Sequence, residues 1–379
     1  LQGGQTKFQI SFSYSDGFGR QVQSKVQAEQ GLAWRRSNPT VLATGDLSPG
    51  ALQLQNNKPQ LIQAPSRWVG TGRTVFNNKG KPVKQYEPFF SSTHLYESEP
   101  EVTTTGVTPV LFYDPLERVI ATIYPNHTYE KVVFDPWKQT TYDVNDTCAP
   151  LNGQTGDPRT DEDIQGYVAN YFSGSAAQNP PIPWQTWYQQ QQGGRATKWE
   201  QEAATKAATH ADTPTTVHLD ALGRTFLTIA HNGQDANGND VLYRTTVMLD
   251  IEGNQREVRD AKLDPNTGLG RMVMQYDYDL LSTVIHQKSM EASEQWMLND
   301  VLGKPIRVWK TPQKQPSDPE QCFAMAYDAA RRPIKSFFDD TGLLDPTQGI
   351  LFEQIIYGES LGAAAAGGNL RGRVYQQFD

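Results

Sequence analysis

The chain has 379 residues, enough for two or three ordinary domains or one extended repeat assembly with a sizeable core. Thirty-four basic residues stand against 42 acidic ones, a net charge of −8 with no Lys/Arg block, which argues against a nucleic-acid-binding surface. Only Cys148 and Cys322 are present, too few for a disulfide framework. They read as two buried thiols, although sequence leaves their pairing open. No apolar run reaches the roughly 18 residues of a membrane helix. The start "LQGGQTKFQI" has neither Met nor a signal-like pattern, and the end "NLRGRVYQQFD" falls within a strand-like run. Both ends are therefore expected to be cut from a longer protein.

Taken in chain order, the predicted elements repeat one grammar. It occurs in "FSYSDGFGRQVQSKVQ" around Asp16, "TVFNNKGKPVKQY" around Asn77, "LFYDPLERVIATI" around Asp114 and "VVFDPWKQTTYDV" around Asp135. It returns in "VHLDALGRTFLTIA" around Asp220, "VMLDIEGNQREVRD" around Asp250, "WMLNDVLGKPIRVW" around Asp300 and "MAYDAARRPIKSFF" around Asp328. Degenerate copies stand at "QYDYDL" and "IIYGES". Each copy has a β-forming pair, Asp or Asn, a short turn often holding Gly or Pro, a polar or basic follower such as Arg118 or Lys138, and a second alternating strand. That pattern predicts a β-hairpin. The Asp or Asn side chain can bond a backbone N–H two residues on, and Gly tolerates positive φ. The follower can reach across the hairpin or lay its stem on a neighbour's apolar surface. Spacings such as 114 to 135 and 300 to 328 suit one hairpin plus its connection in a stacked array.

Residues 157–216 break the rhythm. "DPRTDEDIQGYVANYF" shows helical spacing through Ile164, Tyr167, Val168 and Tyr171 after acidic capping candidates, and "RATKWEQEAATKAATHA" is rich in helix formers. A helical insertion is expected here, with Trp184, Trp187, Tyr188 and Trp199 pinning it to the sheet. The division is thus hairpin repeats over 1–156, insertion over 157–216 and hairpin repeats over 217–379. A further short helix is admissible at "KSMEASEQWML", and "GESLGAAAAGGNL" reads as a loop or short helix.

Several motifs imitate chemical sites. "GESLG" (358–362) fits a nucleophile elbow at Ser360, but no His follows it as that catalytic order requires. "DANGND" (235–240) has alternating oxygen ligands, yet lacks the Gly and Glu positions of a calcium loop and reads better as a hairpin loop. The six histidines, His94, His127, His210, His218, His231 and His286, form no metal-ligand cluster in sequence. Asn126 and Asn145 match a glycosylation acceptor, which matters only in a eukaryotic secretor. The periodic aspartates are expected to make turns, because a catalytic carboxylate pair is singular whereas turn residues recur. No catalytic, cofactor or metal residue is assigned.

The units "FYDPLER", "HLDALGRTF" and "AYDAARRPIKSF" resemble the YD repeats of Rhs-family proteins. The ordered series "RWVGTGRTVFNNKGKPVKQYEPFFSSTHLYE", "VVFDPWKQTTYDVNDT", "HADTPTTVHLDALGRTFLTIAHN", "EQWMLNDVLGKPIRVW" and "ILFEQIIYGES" narrows this to the B component of bacterial insecticidal toxin complexes. The resemblance implies a mainly β array of antiparallel hairpins, part of a coiled sheet shell, with an α-helical insertion. It implies a secreted, non-enzymatic wall that encloses a cytotoxic C-terminal polypeptide. A C component would close the shell and carry the toxin, and a pore-forming A component would meet other parts of the protein and translocate the cargo. The pattern lacks a propeller, a variable toxin domain and a self-cleaving terminus; "LDPNTGLGR" at Asp264 only approximates the last and reads as a hairpin turn. The alternative is a YD-repeat surface module that binds glycans or a cell receptor through exposed aromatics such as Trp137, Trp184 and Trp187.

Overall fold

The computed structural model describes all residues except 1–7, 44, 46, 57, 105, 152, 174–183, 194–195, 312–319 and 341–348. Parts of the stretches 179–194 and 195–211 assigned to the insertion lie outside the described residues. The chain is mainly β and divides into two compact units. One comprises Gly4–Phe134 with Thr140–Pro214, and the other is formed chiefly by Asp135–Gln139 and Thr215–Asp379.

The first unit holds a six-stranded sheet whose spatial order is Ser11–Ser15, Gln21–Ala28, Arg67–Gly70, Phe89–Ser91, Gly31–Trp34, Leu61–Ala64. The hairpins at Asp16 and Asn77 are present, joining Ser11–Ser15 to Gln21–Ala28 and Thr74–Phe76 to Pro82–Gln85. Between them, however, the sheet does not grow in sequence order: Phe89–Ser91 pairs antiparallel with Arg67–Gly70 and parallel with Gly31–Trp34. The intervening stretch lacks the repeat's Asp-turn signal, so pairing there is set by long-range contacts. A sequential meander resumes with Val110–Tyr113, Val119–Ile123 and Tyr129–Phe134.

Three helices of the 157–216 stretch fall in the described residues: Gln165–Ser173, Trp187–Gln192 and Lys198–Ala208. The last two begin with capping boxes, Thr186 with Gln189 and Thr197 with Glu200, which satisfy N–H groups that open a helix. Ile164 and Val168 pack on Ala121, Ile123 and Tyr129 of the meander, a small closed core. The acidic residues expected to begin the first helix instead grip the sheet. Asp161 accepts from the Tyr129 hydroxyl at 2.7 Å and pairs with Lys131, which also reaches Asp163. Trp184 stacks on His127 at 4.9 Å, whereas Trp187 and Tyr188 pack beside Cys148, Ala149 and Ala208 rather than on a strand. Trp199 is 77% exposed and pins nothing, a correction to the sequence expectation.

The second unit contains an antiparallel meander in strict chain order from Thr215–Leu219 through Thr225–Gln234, Asp240–Leu249, Gln255–Leu263, Gly270–Tyr278, Val284–Ser289, Ser293–Asn299, Pro305–Thr311, Gln321–Tyr327, Pro333–Asp339 and Ile350–Tyr357 to Val374–Phe378. The helix admissible at "KSMEASEQWML" is not formed. Those residues complete two strands, because Trp296 pairs opposite His286 on one side and Trp309 on the other, and cross-strand packing overrides local helix propensity. Most strand residues of this sheet are neither buried nor fully exposed; the buried ones, such as His286, Ser293, Cys322, Ala324 and Ser336, are scattered. Both faces mix polar and apolar side chains, and a continuous hydrophobic core is missing among the described residues of this unit. Cys148 and Cys322 are both free and buried.

Candidate functional site

The repeat turns are where the sequence concentrates its signal, and they share one geometry. At Asp16 the backbone N–H donates to the carbonyl of Arg20, and the N–H of Gly19 donates back to the Asp16 carbonyl. The same pair of bonds recurs at Asn77, Asp114, Asp220, Asp235, Asp250, Asp279, Asp300 and Asp328. In each, the residue three past the marker has positive φ: Gly in most copies, but Glu117, Ser282 and Arg331 in three. The strand register shifts at the turn in all of these copies. This is a three-residue hairpin loop closed by a bulge whose left-handed position favours Gly.

The marker side chain completes the loop. Asp220 Oδ1 accepts the N–H groups of Leu222 and Arg224, both at 2.9 Å, while Oδ2 accepts Arg224 Nε at 2.7 Å. Asp16 with Arg20, Asp114 with Arg118 and Asp328 with Arg332 form the same clasp, with Nε to Oδ2 distances of 2.7, 2.7 and 2.8 Å. Asn77 keeps only the backbone half, accepting from Lys79 and Lys81. Asp235 and Asp250 pair their second oxygen with Asn239 and Asn254. The backbone and side-chain bonds of Arg224 and Arg332 hold the Asp220 and Asp328 carboxyls below the usual range, and the Arg20 side chain does so for Asp16. Burial pushes Asp114 upward, but the bonds and charge of Arg118 outweigh it and the net direction is down.

A second set of contacts ties each hairpin to the next. The Tyr preceding a marker donates its hydroxyl to a carbonyl five residues past the previous marker: Tyr113 to Pro82, Tyr278 to Gln255 and Tyr327 to Pro305, at 2.8, 2.9 and 2.7 Å. The basic follower lies over the aromatic before the next marker, Arg118 over Phe134 and Arg332 over Tyr357, both at 3.9 Å. Lys304 over Tyr327 is a looser version at 5.6 Å. Arg224 reaches the carbonyls of Asp250 and Ile251, Lys81 pairs with Glu117, and Arg331 pairs with Asp300. Residues of the motif therefore tie hairpins to their neighbours, while the clasped carboxylates are taken up by their own turns.

The decoy motifs fall into the same framework. Asp235 spends its carboxylate on Asn237, Asn239 and their turn, so "DANGND" is another copy of the clasp. Asp264 accepts from Asn266, and the Gly268 N–H returns to its carbonyl, which absorbs the extra residue in a longer hairpin loop. Ser360 is exposed in the 3-10 turn Gly358–Leu361, where the adjacent Glu359 is taken up by Arg332 and the Gly372 N–H. Among the described residues no group of three or more His, Cys, Asp or Glu side chains is arranged to hold a metal ion. Asp135 makes a tighter turn than the others, closing on Lys138, with Trp137 at its tip.

Two clusters are missed by sequence reasoning. His286 is buried, with Nδ1 at 2.7 Å from Asp277 and Nε2 at 2.9 Å from Glu294, and it stacks on Trp296 at 4.1 Å. It staples three consecutive strands, and the signal would have been the pairing of Asp277 opposite His286, invisible without register. In the first unit, Lys25 and Arg36 both bond the fully buried Glu97, and Arg36 also pairs with Glu99 at 2.7 Å. Burial pushes the Lys25 ammonium down to about 8, against the opposing pull of Glu97. Next to Glu97 lies a cavity of about 370 Å³ that also touches Arg20, Arg73 and Tyr96.

The fold and turns define a class: an antiparallel hairpin-repeat sheet whose units are locked to their neighbours through an Asp-centred clasp. No family model matches the sequence, and no curated protein matches it. Solved structures do. A crystal structure of TcdB2–TccC3 without its hypervariable C-terminal region matches at a TM-score of 0.65 and 20% identity, covering 100% of this chain. TcdB2–TccC3–Cdc42 matches at 0.64 and 20% over 98%, and a Photorhabdus luminescens Tc holotoxin pore carrying a TccC3 mutation at 0.63 and 20% over 98%. The chain spans only 14% of the length of each of those chains. Its fold is that of a stretch of these toxin-complex proteins.

Proposed function

We propose that the chain is a wall segment of a toxin-complex B component, a non-enzymatic stretch of sheet that helps enclose a cytotoxic C-terminal polypeptide before translocation. The C component and its toxin polypeptide are the direct partners in this reading, a pore-forming A component engages other parts of the protein, and the assembly is secreted. The observation that carries it is the chain-order meander from Thr215 to Phe378, which extends hairpin by hairpin and, among the described residues, without a crossover or a continuous core. Such a sheet is suited to enclosing space, since each added hairpin covers the edge left by the last. The likeness to TcdB2–TccC3 along the whole chain supports the same reading. The test is protease protection of the enclosed polypeptide in the full-length assembly, with and without Asp220→Ala and Asp328→Ala in this segment. Protection should fall in the variant, and unchanged protection of a demonstrably loosened segment overturns the proposal.

A surface module for glycans or a receptor is the second reading, favoured by Trp137, 60% exposed at the tip of its turn. Binding on a glycan array that disappears with Trp137→Ala would establish it instead.

A further inference from the structure

The cavity of about 370 Å³ in the first unit lies among the Asp16 hairpin, the strand Thr74–Phe76 and the segment that leads to Thr103. Its polar side chains fall into two groups. The first group is already engaged. Asp16 and Arg20 hold each other, and the Arg20 guanidinium also lies 4.9 Å over Phe76. Lys25 and Arg36 take the two carboxylate oxygens of Glu97, and Gln23 spends its amide on the Glu97 backbone at 3.0 and 3.1 Å. The Thr103 hydroxyl donates to the Glu99 carbonyl at 2.9 Å. The second group consists of Arg73, Thr74, Tyr96 and Ser98, whose side chains make no hydrogen bond or ion pair among the described residues. The Arg73 backbone is nevertheless fixed on both sides, its N–H donating to the Thr103 carbonyl at 2.8 Å and its own carbonyl accepting the Tyr86 N–H at 3.0 Å.

We propose that this cavity binds a monocarboxylic acid with a small apolar body, its carboxylate on the Arg73 guanidinium and its body against Val22, Val75 and Phe76. The unengaged side chains select that chemistry. Each of the four can donate a hydrogen bond and none is a carboxylate or an amide, so the wall is complemented by an acceptor. Charge narrows the choice further. Asp16 is matched by Arg20, and Glu97 together with Glu99 by Lys25 and Arg36, which leaves the single charge of Arg73 unmatched. One carboxylate balances it and fits the planar guanidinium fork. A phosphate monoester, at about −1.5 to −2, would instead bring surplus negative charge beside Asp16 and Glu97. Arg73, Tyr96 and Ser98 are exposed, so the ligand reaches them from solvent. The volume falls at the small end of the roughly 300–1,000 Å³ of small-molecule pockets, which limits the body to about the size of a phenyl group. The proposal does not rest on the enclosure reading, since it concerns the first unit alone.

The test is a saturation-transfer NMR titration of the whole chain with phenylacetate, 2-phenylacetamide and phenyl phosphate. Phenylacetate should bind with a dissociation constant on the order of 0.1–1 mM, as suits a ligand of its size. The amide, which keeps the shape and loses the charge, should bind at least about tenfold more weakly, and phenyl phosphate more weakly than phenylacetate. Arg73→Gln should weaken phenylacetate at least about tenfold with an unchanged circular dichroism spectrum, and Tyr96→Phe/Ser98→Ala by about two- to tenfold. Arg35→Gln, an exposed arginine outside the cavity wall, should behave as wild type. N-acetyl-alanyl-phenylalanine carries the same carboxylate at a peptide end: tighter binding than phenylacetate assigns the site to a chain terminus, and weaker binding to a free acid. Absence of phenylacetate binding up to about 10 mM overturns the proposal, being at least about tenfold beyond the expected constant. Equal binding of the amide, tighter binding of phenyl phosphate, or undiminished binding by Arg73→Gln overturns it as well.

Discussion

Replacing Asp114 decides whether the repeat marker is chiefly a turn device or half of an ion pair. Its carboxylate accepts the Arg118 N–H at 2.9 Å and, through the other oxygen, Arg118 Nε and Nη2 at 2.7 Å each. Asp114→Asn keeps an acceptor for the backbone and removes the charge. The Arg118 side chain is 42% exposed, so solvent screens the pair and the loss is about 0.5–1 kcal/mol. Asp114→Ala also removes the backbone acceptor, which adds about 1.5–2 kcal/mol and brings the total to about 2–3 kcal/mol. Arg118→Ala leaves the turn bonds in place and loses the screened pair with the contact over Phe134, roughly 1–1.5 kcal/mol. A chain with two compact units has no guarantee of unfolding in one step, so the readout is hydrogen exchange in the peptide covering residues 110–123. Asp114→Ala should speed exchange there by roughly 30- to 150-fold and Asp114→Asn by less than about tenfold. Equal acceleration by Asn and Ala would mean that the ion pair carries the turn, and unchanged exchange in the Ala variant would refute the clasp altogether.

The clasped carboxyls of Asp16, Asp114, Asp220 and Asp328 sit below their ordinary range when folded. Their contribution is therefore complete above about pH 4 and lost as pH falls through the lower folded values; exchange at these turns should stay slow from pH 7 to about 4.5 and accelerate below about 4 once corrected for intrinsic rate. Glu97→Ala leaves Lys25 and Arg36 buried without their shared partner and should cost about 3–5 kcal/mol in the first unit, read as a lowered thermal transition; a shift no larger than that of an exposed Glu→Ala control would contradict the network. Ser282 stands at φ 59 where most copies have Gly, so Ser282→Gly should stabilise the local hairpin by about 1 kcal/mol, seen as slower exchange in residues 270–289.

The hairpins are legible in the sequence because their logic is local. Asp220 bonds groups two and four residues away, and a bulge residue at Gly223 needs positive φ, so composition within one turn is enough to announce it. Even so, Asp235 escapes as a marker, since "DANGND" carries no Arg follower and its Asn239 substitutes quietly. What is not local is not legible. Lys25 finds Glu97 across 72 positions, and His286 finds Asp277 and Glu294 only once three strands have taken a register. "KSMEASEQWML" fails for the same reason, as its helix propensity is small beside the two strands that flank it. Trp199 shows the reverse error: a large aromatic invites a packing role, but on the outer face of its helix nothing covers it.

A sheet whose described residues form no continuous core raises the question of what holds it together. Its strands are half-buried, so apolar burial per residue is modest, and an isolated hairpin of this kind would be marginal in water. Stability must then come from the coupling of neighbours, and the motif supplies that coupling with the residues that define it. Tyr327 reaches back to Pro305 in the second strand of the Asp300 hairpin, while Arg332 reaches forward to Tyr357 and Glu359. An array built this way behaves as a chain of nearest-neighbour interfaces. Loss of one clasp loosens the hairpins on either side, and a lone repeat has little reason to stay folded. The recurring Asp is thus required by the continuity of the sheet, which explains why the same carboxylate appears at turn after turn.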